Sequence, residues 1–182
     1  MVSVVCGSRN VAVFLGGMNL KLALQDLIFI HAALRGQPVD YSRYGGLALQ
    51  RAGHTSPLNA DVNDDGAKTS AEIEWTLESL ILLDVLDANR VTEEGAEAIA
   101  LSYVNVKSGW IVKRRLQRGE HADWLMTKPK GWLAMEVSGI MTGDTKTRLK
   151  QKRRQVARCS LPVERIAVVV AFDTPLILAV SV

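Results

Sequence analysis

GWIVKRRLQRGEHADWLMTKPKGWLAMEVSG, Gly109 to Gly139, is where the period of the chain changes from helical to extended. Trp110 to Leu116, Ala122 to Thr127 and Trp132 to Ile140 read as three strands separated by turn-forming residues. KPKG, Lys128 to Gly131, closes a hairpin in which Thr127 pairs with Trp132, Leu125 pairs with Ala134, and Asp123 falls opposite Glu136. Strand alternation puts Ser138 on that same face, one step further on. Two facing carboxylates repel, and in a half-buried sheet they need a cation. A divalent metal is the simplest answer, since Mg²⁺ accepts a few carboxylates and completes its shell with water and phosphate oxygens. The plainer answer is a carboxylate at the strand end in water, or one paired with Arg114, Arg115 or Lys150.

Working outward, Thr92 opens a helix with Glu94 and Glu97 early, where the helix dipole favours negative charge, and with Ile99, Tyr103 and Val104 apolar. Downstream, Thr145 to Cys159 reads as a helix, Arg165 to Phe172 as a strand, and Leu176 to Val182 as one further strand. From Thr92 the order is helix, three strands, helix, strand, which predicts an α/β fold with a mixed central sheet and flanking helices. The amino-terminal part reads as an α+β extension. Val2 to Cys6 and Val11 to Leu15 flank the turn-prone GSRN as a hairpin, and Met18 to Leu34 places Leu20, Leu24, Leu27, Ile28 and His31 on one helical face. Gly36 to Gly66, punctuated by Pro38, Gly45, Gly46, Gly53 and Pro57, predicts a long irregular connection that divides the chain into 1–66 and 67–182. Ser70 to Leu86 predicts a helix capped by Ser70, with Ile73, Leu77, Leu80 and Ile81 at helical spacing.

Composition sets the class. With 182 residues, 48% of them hydrophobic, the chain can bury one good core and a smaller appended layer. Cys6 and Cys159 supply neither a disulfide framework nor a zinc pattern, which suits a reducing cytoplasm. The run Val11 to Leu15 is broken by Gly16 and Gly17, too short for a membrane span or signal peptide. The formal charge of +3 conceals segregation: Asp61 to Glu97 holds eleven acidic residues against two basic, and Lys107 to Arg158 holds fourteen basic against four acidic. That basic half points to an anionic partner, with nucleic acid the first candidate, while mutually attracting solvated faces are the bland reading.

The segment GAEAIALSYVNVKSGWIVKRRLQRGEHADWLMTKPKGWLAMEVSG resembles the PD-(D/E)xK, or restriction-endonuclease-like, phosphodiesterase superfamily over roughly Thr92 to Phe172. The resemblance implies a metal site of Mg²⁺ or Mn²⁺, with Glu97 as the helix glutamate, Asp123 as the strand aspartate, Glu136 opening the Glu-x-Lys motif, and the Val137 carbonyl as a further ligand. It implies a nuclease or nuclease subunit that hydrolyses DNA. Ser138 departs from the pattern by standing where the motif has lysine. A serine donates a hydrogen bond but brings no charge to a pentacoordinate phosphate. The resemblance therefore implies either a lysine relocated to the next helix, with Lys146, Lys150 and Lys152 as candidates and Lys150 favoured, or a degenerate scaffold that binds nucleic acid without cutting.

That helix, TKTRLKQKRRQVARC, is dense in cations. Lys146, Arg148, Lys152, Arg153 and Arg154, with Arg114 and Arg115, are candidate phosphate contacts. Gln151 and Gln155 share one helical face, and Trp110, Trp124 and Trp132 are expected in the core rather than stacked on bases. DVNDDGAKTSAE, Asp61 to Glu72, fits a calcium-loop pattern, but no helix precedes it and Lys68 occupies an apolar position, so ordinary turn chemistry is preferred. His31, His54 and His121 show no ligand spacing. The amino-terminal half is the expected surface for a homodimer or larger complex.

Overall fold

The computed structural model describes residues 19–37, 39–79 and 81–182. The hairpin expected at Val2 to Leu15 lies outside them. The polypeptide builds one eight-stranded mixed sheet flanked by helices. Its carboxy-terminal half follows the order expected from sequence: α4 (Ala88–Ser108), β4 (Ile111–Arg115), β5 (Trp124–Lys128), β6 (Gly131–Ile140), α5 (Thr145–Val156), β7 (Glu164–Ala171) and β8 (Leu176–Ser181). Strands β4, β5 and β6 form an antiparallel meander, β7 lies parallel to β6, and β8 returns antiparallel to β7. Leu125 pairs with Ala134 and Thr127 with Trp132, in the register that the KPKG turn dictates.

α4 starts four residues before Thr92. Asp87 caps it by accepting the Arg90 N–H at 2.8 Å, and Gly109, at φ 71°, ends it in the left-handed conformation that glycine tolerates best. Leu133, Met135 and Val137 alternate onto the α4 side of the sheet, into the main core with Ile99 and Tyr103. Ala134 faces the other way and joins Val156 of α5, Ala167 and Leu116 in a smaller cluster. Helix α5 therefore covers the face that also carries Glu136.

The amino-terminal half corrects the sequence reading in three places. Met18 to Leu34 is not one helix: β1 (Leu20–Ala23) pairs parallel with β3 (Ala67–Glu74), and a short 3₁₀ turn, α1 (Leu27–Ile30) and a second 3₁₀ turn follow. Leu24, Leu27 and His31 still reach the core, so the apolar spacing was real while its first turn was claimed by a sheet edge.

Gly36 to Gly66 is not irregular, since it contains α2 (Tyr41–Arg51) and β2 (Leu58–Asp64). Gly45 and Gly46 serve helix packing, since a Cβ on either would meet a side chain at 2.7 Å, while Gly53 and Gly66 keep a turn role at φ of 85° and 87°. A Cβ on Gly95 of α4 would meet the Ala48 Cβ at 2.7 Å and the Tyr44 carbonyl oxygen at 2.8 Å, so the two helices touch almost backbone to backbone.

Ser70 to Leu86 is not a helix either: it contains the later part of β3 (Ala67–Glu74) and a short α3 (Ile81–Val85). Ala71, Ile73 and Trp75 are buried in alternation, and period two prevailed over the weaker helical match. Asp61 to Glu72 is accordingly a β2–β3 hairpin, with Asp61 opposite Ser70 and Asp64 opposite Ala67, not a calcium loop. Asp65 and Gly66 form its turn with φ of 48° and 87°, the conformation that an Asp-Gly hairpin favours. The sequence division at 66/67 falls inside this turn, between two hydrogen-bonded strands of the same sheet. Strand β2 then pairs parallel with β8, completing the order β1-β3-β2-β8-β7-β6-β5-β4.

Candidate active site

The site forms where β5 stops pairing with β6. The last pair is Trp124 with Met135, and beyond it Asp123 takes over the strand edge. Its N–H donates to the Met135 carbonyl at 3.0 Å, and its Oδ2 accepts the Val137 N–H at 2.8 Å. The carboxylate is thus fixed against the backbone of the Glu-x-Ser segment. Burial raises the pKa of Asp123, opposed by the Val137 N–H and by the charges of Lys152 and Arg115.

Glu136 is fully buried on the α5 side of β6. Its Oε1 accepts a hydrogen bond from Lys152 Nζ at 2.6 Å, while its Oε2 is buried without a partner. Burial raises its pKa, the neighbouring Asp123 carboxylate raises it further, and Lys152 pulls it back.

The α5 lysine that reaches Glu136 is therefore Lys152, not Lys150. Leu149 and Val156 both pack into the α5 cluster, and the spacing 149, 152, 156 sets Lys152 in the middle of that buried stripe. Lys150 lies off the stripe and is exposed. The ammonium of Lys152 ends inside at Glu136, so it is not a free surface cation for phosphate contacts.

Glu97 approaches on α4. Burial raises its pKa to about 8, opposed by the Arg115 guanidinium. Arg115 donates to Glu97 Oε1 at 2.9 Å and to the Tyr41 hydroxyl at 2.6 Å, and it lies over the Trp124 ring at 5.2 Å. Glu97 Oε2 is a second buried carboxylate oxygen without a partner. Arg115 is thus committed internally rather than offered to nucleic acid. Arg114 is likewise taken, by a two-pronged pair to Glu120 at 2.7 and 2.9 Å. Lys146, Arg153 and Arg154 are exposed and Arg148 is half-buried, leaving a cationic outer face on α5.

Glu93 was missed in the sequence. It sits one turn before Glu97 on α4, accepts the Gly139 N–H at 3.0 Å, and lies 3.4 Å from the Ser138 hydroxyl. Its spacing of four from Glu97, on a helix leading into the site, was the available signal. Ser138 thus turns to a carboxylate and brings no cation to the site. Gly139 permits the approach, because a Cβ there would lie 2.2 Å from the Thr92 carbonyl oxygen.

Among the described residues, no three Asp, Glu, His or Cys side chains converge tightly enough to enclose an ion. The donor set does suit Mg²⁺ or Mn²⁺, because such an ion needs only one or two protein carboxylates and leaves its other positions to water and phosphate. The unpartnered Glu136 Oε2, with Asp123 beside it, fits that requirement. The Val137 carbonyl belongs to the same strand edge. No helix among the described residues is long and apolar enough to cross a membrane. No protein-family model, curated protein or solved structure matches the chain.

Proposed function

We propose that the chain is a metal-dependent nuclease of the PD-(D/E)xK type, or a subunit of one, hydrolysing DNA phosphodiester bonds. The observation that carries this reading is the 2.6 Å contact of Lys152 with Glu136, which puts an ammonium beside a buried carboxylate pair. Ser138 supplies no such charge. Asp123, Glu136 and the Val137 carbonyl would hold Mg²⁺ or Mn²⁺, with Glu97 behind them. Such an ion supplies Lewis acidity at the phosphate and lowers the pKa of a bound water.

The protein's own groups have separable tasks. The Val137 N–H orients Asp123, and burial keeps Glu136 reluctant to ionise until a cation is present. Lys152 orients the attacking water and stabilises the negative charge that grows on the phosphate oxygens. The exposed cations of α5 hold the backbone without reading sequence.

The test is cleavage of plasmid and oligonucleotide DNA with Mg²⁺ or Mn²⁺. Glu136→Gln preserves shape and should lower cleavage by at least ~100-fold, in the range of losing one preorganised catalytic group. Unchanged cleavage would sink the site assignment.

A second reading, a nucleic-acid-binding or assembly protein that does not cut, is favoured by one observation. Glu97 is already held by Arg115, which leaves it no free charge to share with an ion. It predicts salt-sensitive binding and no metal-dependent cleavage.

A further inference from the structure

Of the four tryptophans, Trp75, Trp110 and Trp124 are buried and Trp132 is 44% exposed. This departs from the expectation that the strand tryptophans all belong to the core. Trp132 shares a face of β6 with Ala134 and Glu136, so its ring stands four residues, or about 13 Å, from the candidate site along one strand. Helix α5 runs antiparallel above that face, with Lys152 over Glu136 and Val156 packed with Ala134. It ends before reaching Trp132. Lys128 and Lys130 of the adjoining turn border the indole, and Lys130 is exposed. A shallow groove runs on each side of the ring, one lined by Ile111, Thr127, Lys128 and Lys130, the other by Pro162, Val163, Glu164 and Arg165.

We infer that Trp132 is a stacking platform for an unpaired nucleobase, so that the site takes nucleic acid with a single-stranded segment beside the scissile phosphate. This rests on the nucleic-acid reading proposed above and names the form of the substrate. An exposed indole bordered by cations suits bases of any identity, because every base presents a π-face while the phosphates meet the charges. A fully paired duplex keeps its bases stacked on one another and offers no face to the ring. An acidic or neutral protein surface lacks the stacking face that the ring offers to a base, and Lys128, Lys130 and Arg165 outnumber Glu164 along the two grooves, which favours an anionic ligand.

The experiment measures binding in EDTA, so that it stands apart from hydrolysis, using labelled oligo(dT) and a blunt duplex of equal length. Wild type should bind oligo(dT) with quenching of tryptophan fluorescence. Trp132→Ala should weaken that binding about tenfold, and Trp132→Phe should stay within about threefold of wild type. Duplex affinity should be unchanged in both variants. The inference fails if Trp132→Ala binds oligo(dT) as tightly as wild type, if duplex binding falls equally, or if wild type binds no single strand. Trp132-dependent binding without any metal-dependent cleavage would defeat the nuclease proposal and leave the platform standing.

Discussion

Glu97 and Glu136 are two buried glutamates built alike up to a point. Each has one oxygen held by a cation and the other without a partner, and burial raises the pKa of both. The cations differ. Arg115 reaches Glu97 as a planar fork that also binds Tyr41 and lies over Trp124, so its geometry is set by three neighbours. Lys152 reaches Glu136 as a single ammonium on a flexible stem, with 19% of its side chain exposed against 1% for the glutamate. A guanidinium locked on three sides is a strut. An ammonium with one partner can exchange that partner for a water or a phosphate oxygen, which is the behaviour the proposed chemistry needs.

The comparison is broken most directly by exchanging each cation for methionine, which keeps the stem and removes the charge. Lys152→Met should lower metal-dependent cleavage by ~100-fold or more, comparable to removing one transition-state donor. Its stability should move less than on loss of Arg115, because either glutamate can take up a proton once unpaired, but only Arg115 also holds Tyr41 and packs over Trp124. Denaturant unfolding beside a cleavage assay checks both halves. Retained cleavage would return the lysine role to the exposed Lys150 or Lys146. Arg115→Met should do the reverse and destabilise the fold by about 2 kcal/mol. That is below the 3–5 kcal/mol typical of breaking a fully buried pair, because 41% of the Arg115 side chain is exposed. If Arg115→Met unfolds no more easily than Lys152→Met, the distinction between strut and exchangeable cation is lost.

The same contrast explains what the sequence could and could not tell. Asp123 and Glu136 were legible because a four-residue turn, KPKG, sets the register, and one slipped residue would have turned Glu136 to the other face. The choice among the α5 lysines went to Lys150 instead, although Leu149 and Val156 mark a stripe that passes through Lys152. Arg115 was not legible: its partners Tyr41 and Glu97 come from α2 and α4, far away in sequence, and α2 was hidden by Gly45 and Gly46. A glycine pair looks like a loop until the neighbouring helix is known to need the space. Ser70 to Leu86 failed for another reason. Ile73, Leu77 and Ile81 satisfy a helical period on paper, but only Ile73 of these is buried; Leu77 and Ile81 are exposed. Ala71, Ile73 and Trp75 carry the real pattern, with Asp65-Gly66 as the turn that starts it. Trp132 was misjudged because composition cannot show where α5 stops.

The smallest effect sharpens the comparison through pH. His31 is fully buried and accepts the Val112 N–H on Nδ1 at 3.2 Å. Burial lowers its pKa to about 4, with the Leu101 carbonyl pulling weakly the other way. Val112 lies on β4, next to the register shift that precedes Arg114 and Arg115. The neutral imidazole thus supports the strand that carries the strut and has no part in holding Lys152. The unfolded chain binds a proton on His31 below pH ~6.5, and the folded chain refuses it until about 4. Between those values the unfolded state holds more protons, so stability rises with pH across this window and falls as the solution is acidified. The other buried carboxyls titrate alongside, so the quantity to measure is the difference between wild type and His31→Gln. Wild type should lose about 1 kcal/mol more than the variant between pH 6.5 and 5.5, below the limit of ~1.4 kcal/mol per pH unit for one proton. Because β4 holds Arg115, loosening it should release Glu97 first. Tryptophan fluorescence should therefore report a change at Trp124, beneath the guanidinium, and Lys152→Met should leave that acid response unaltered. Equal sensitivity of the two variants to acid would mean that the two glutamates share one support, and the contrast between them would then reduce to the identity of the cation.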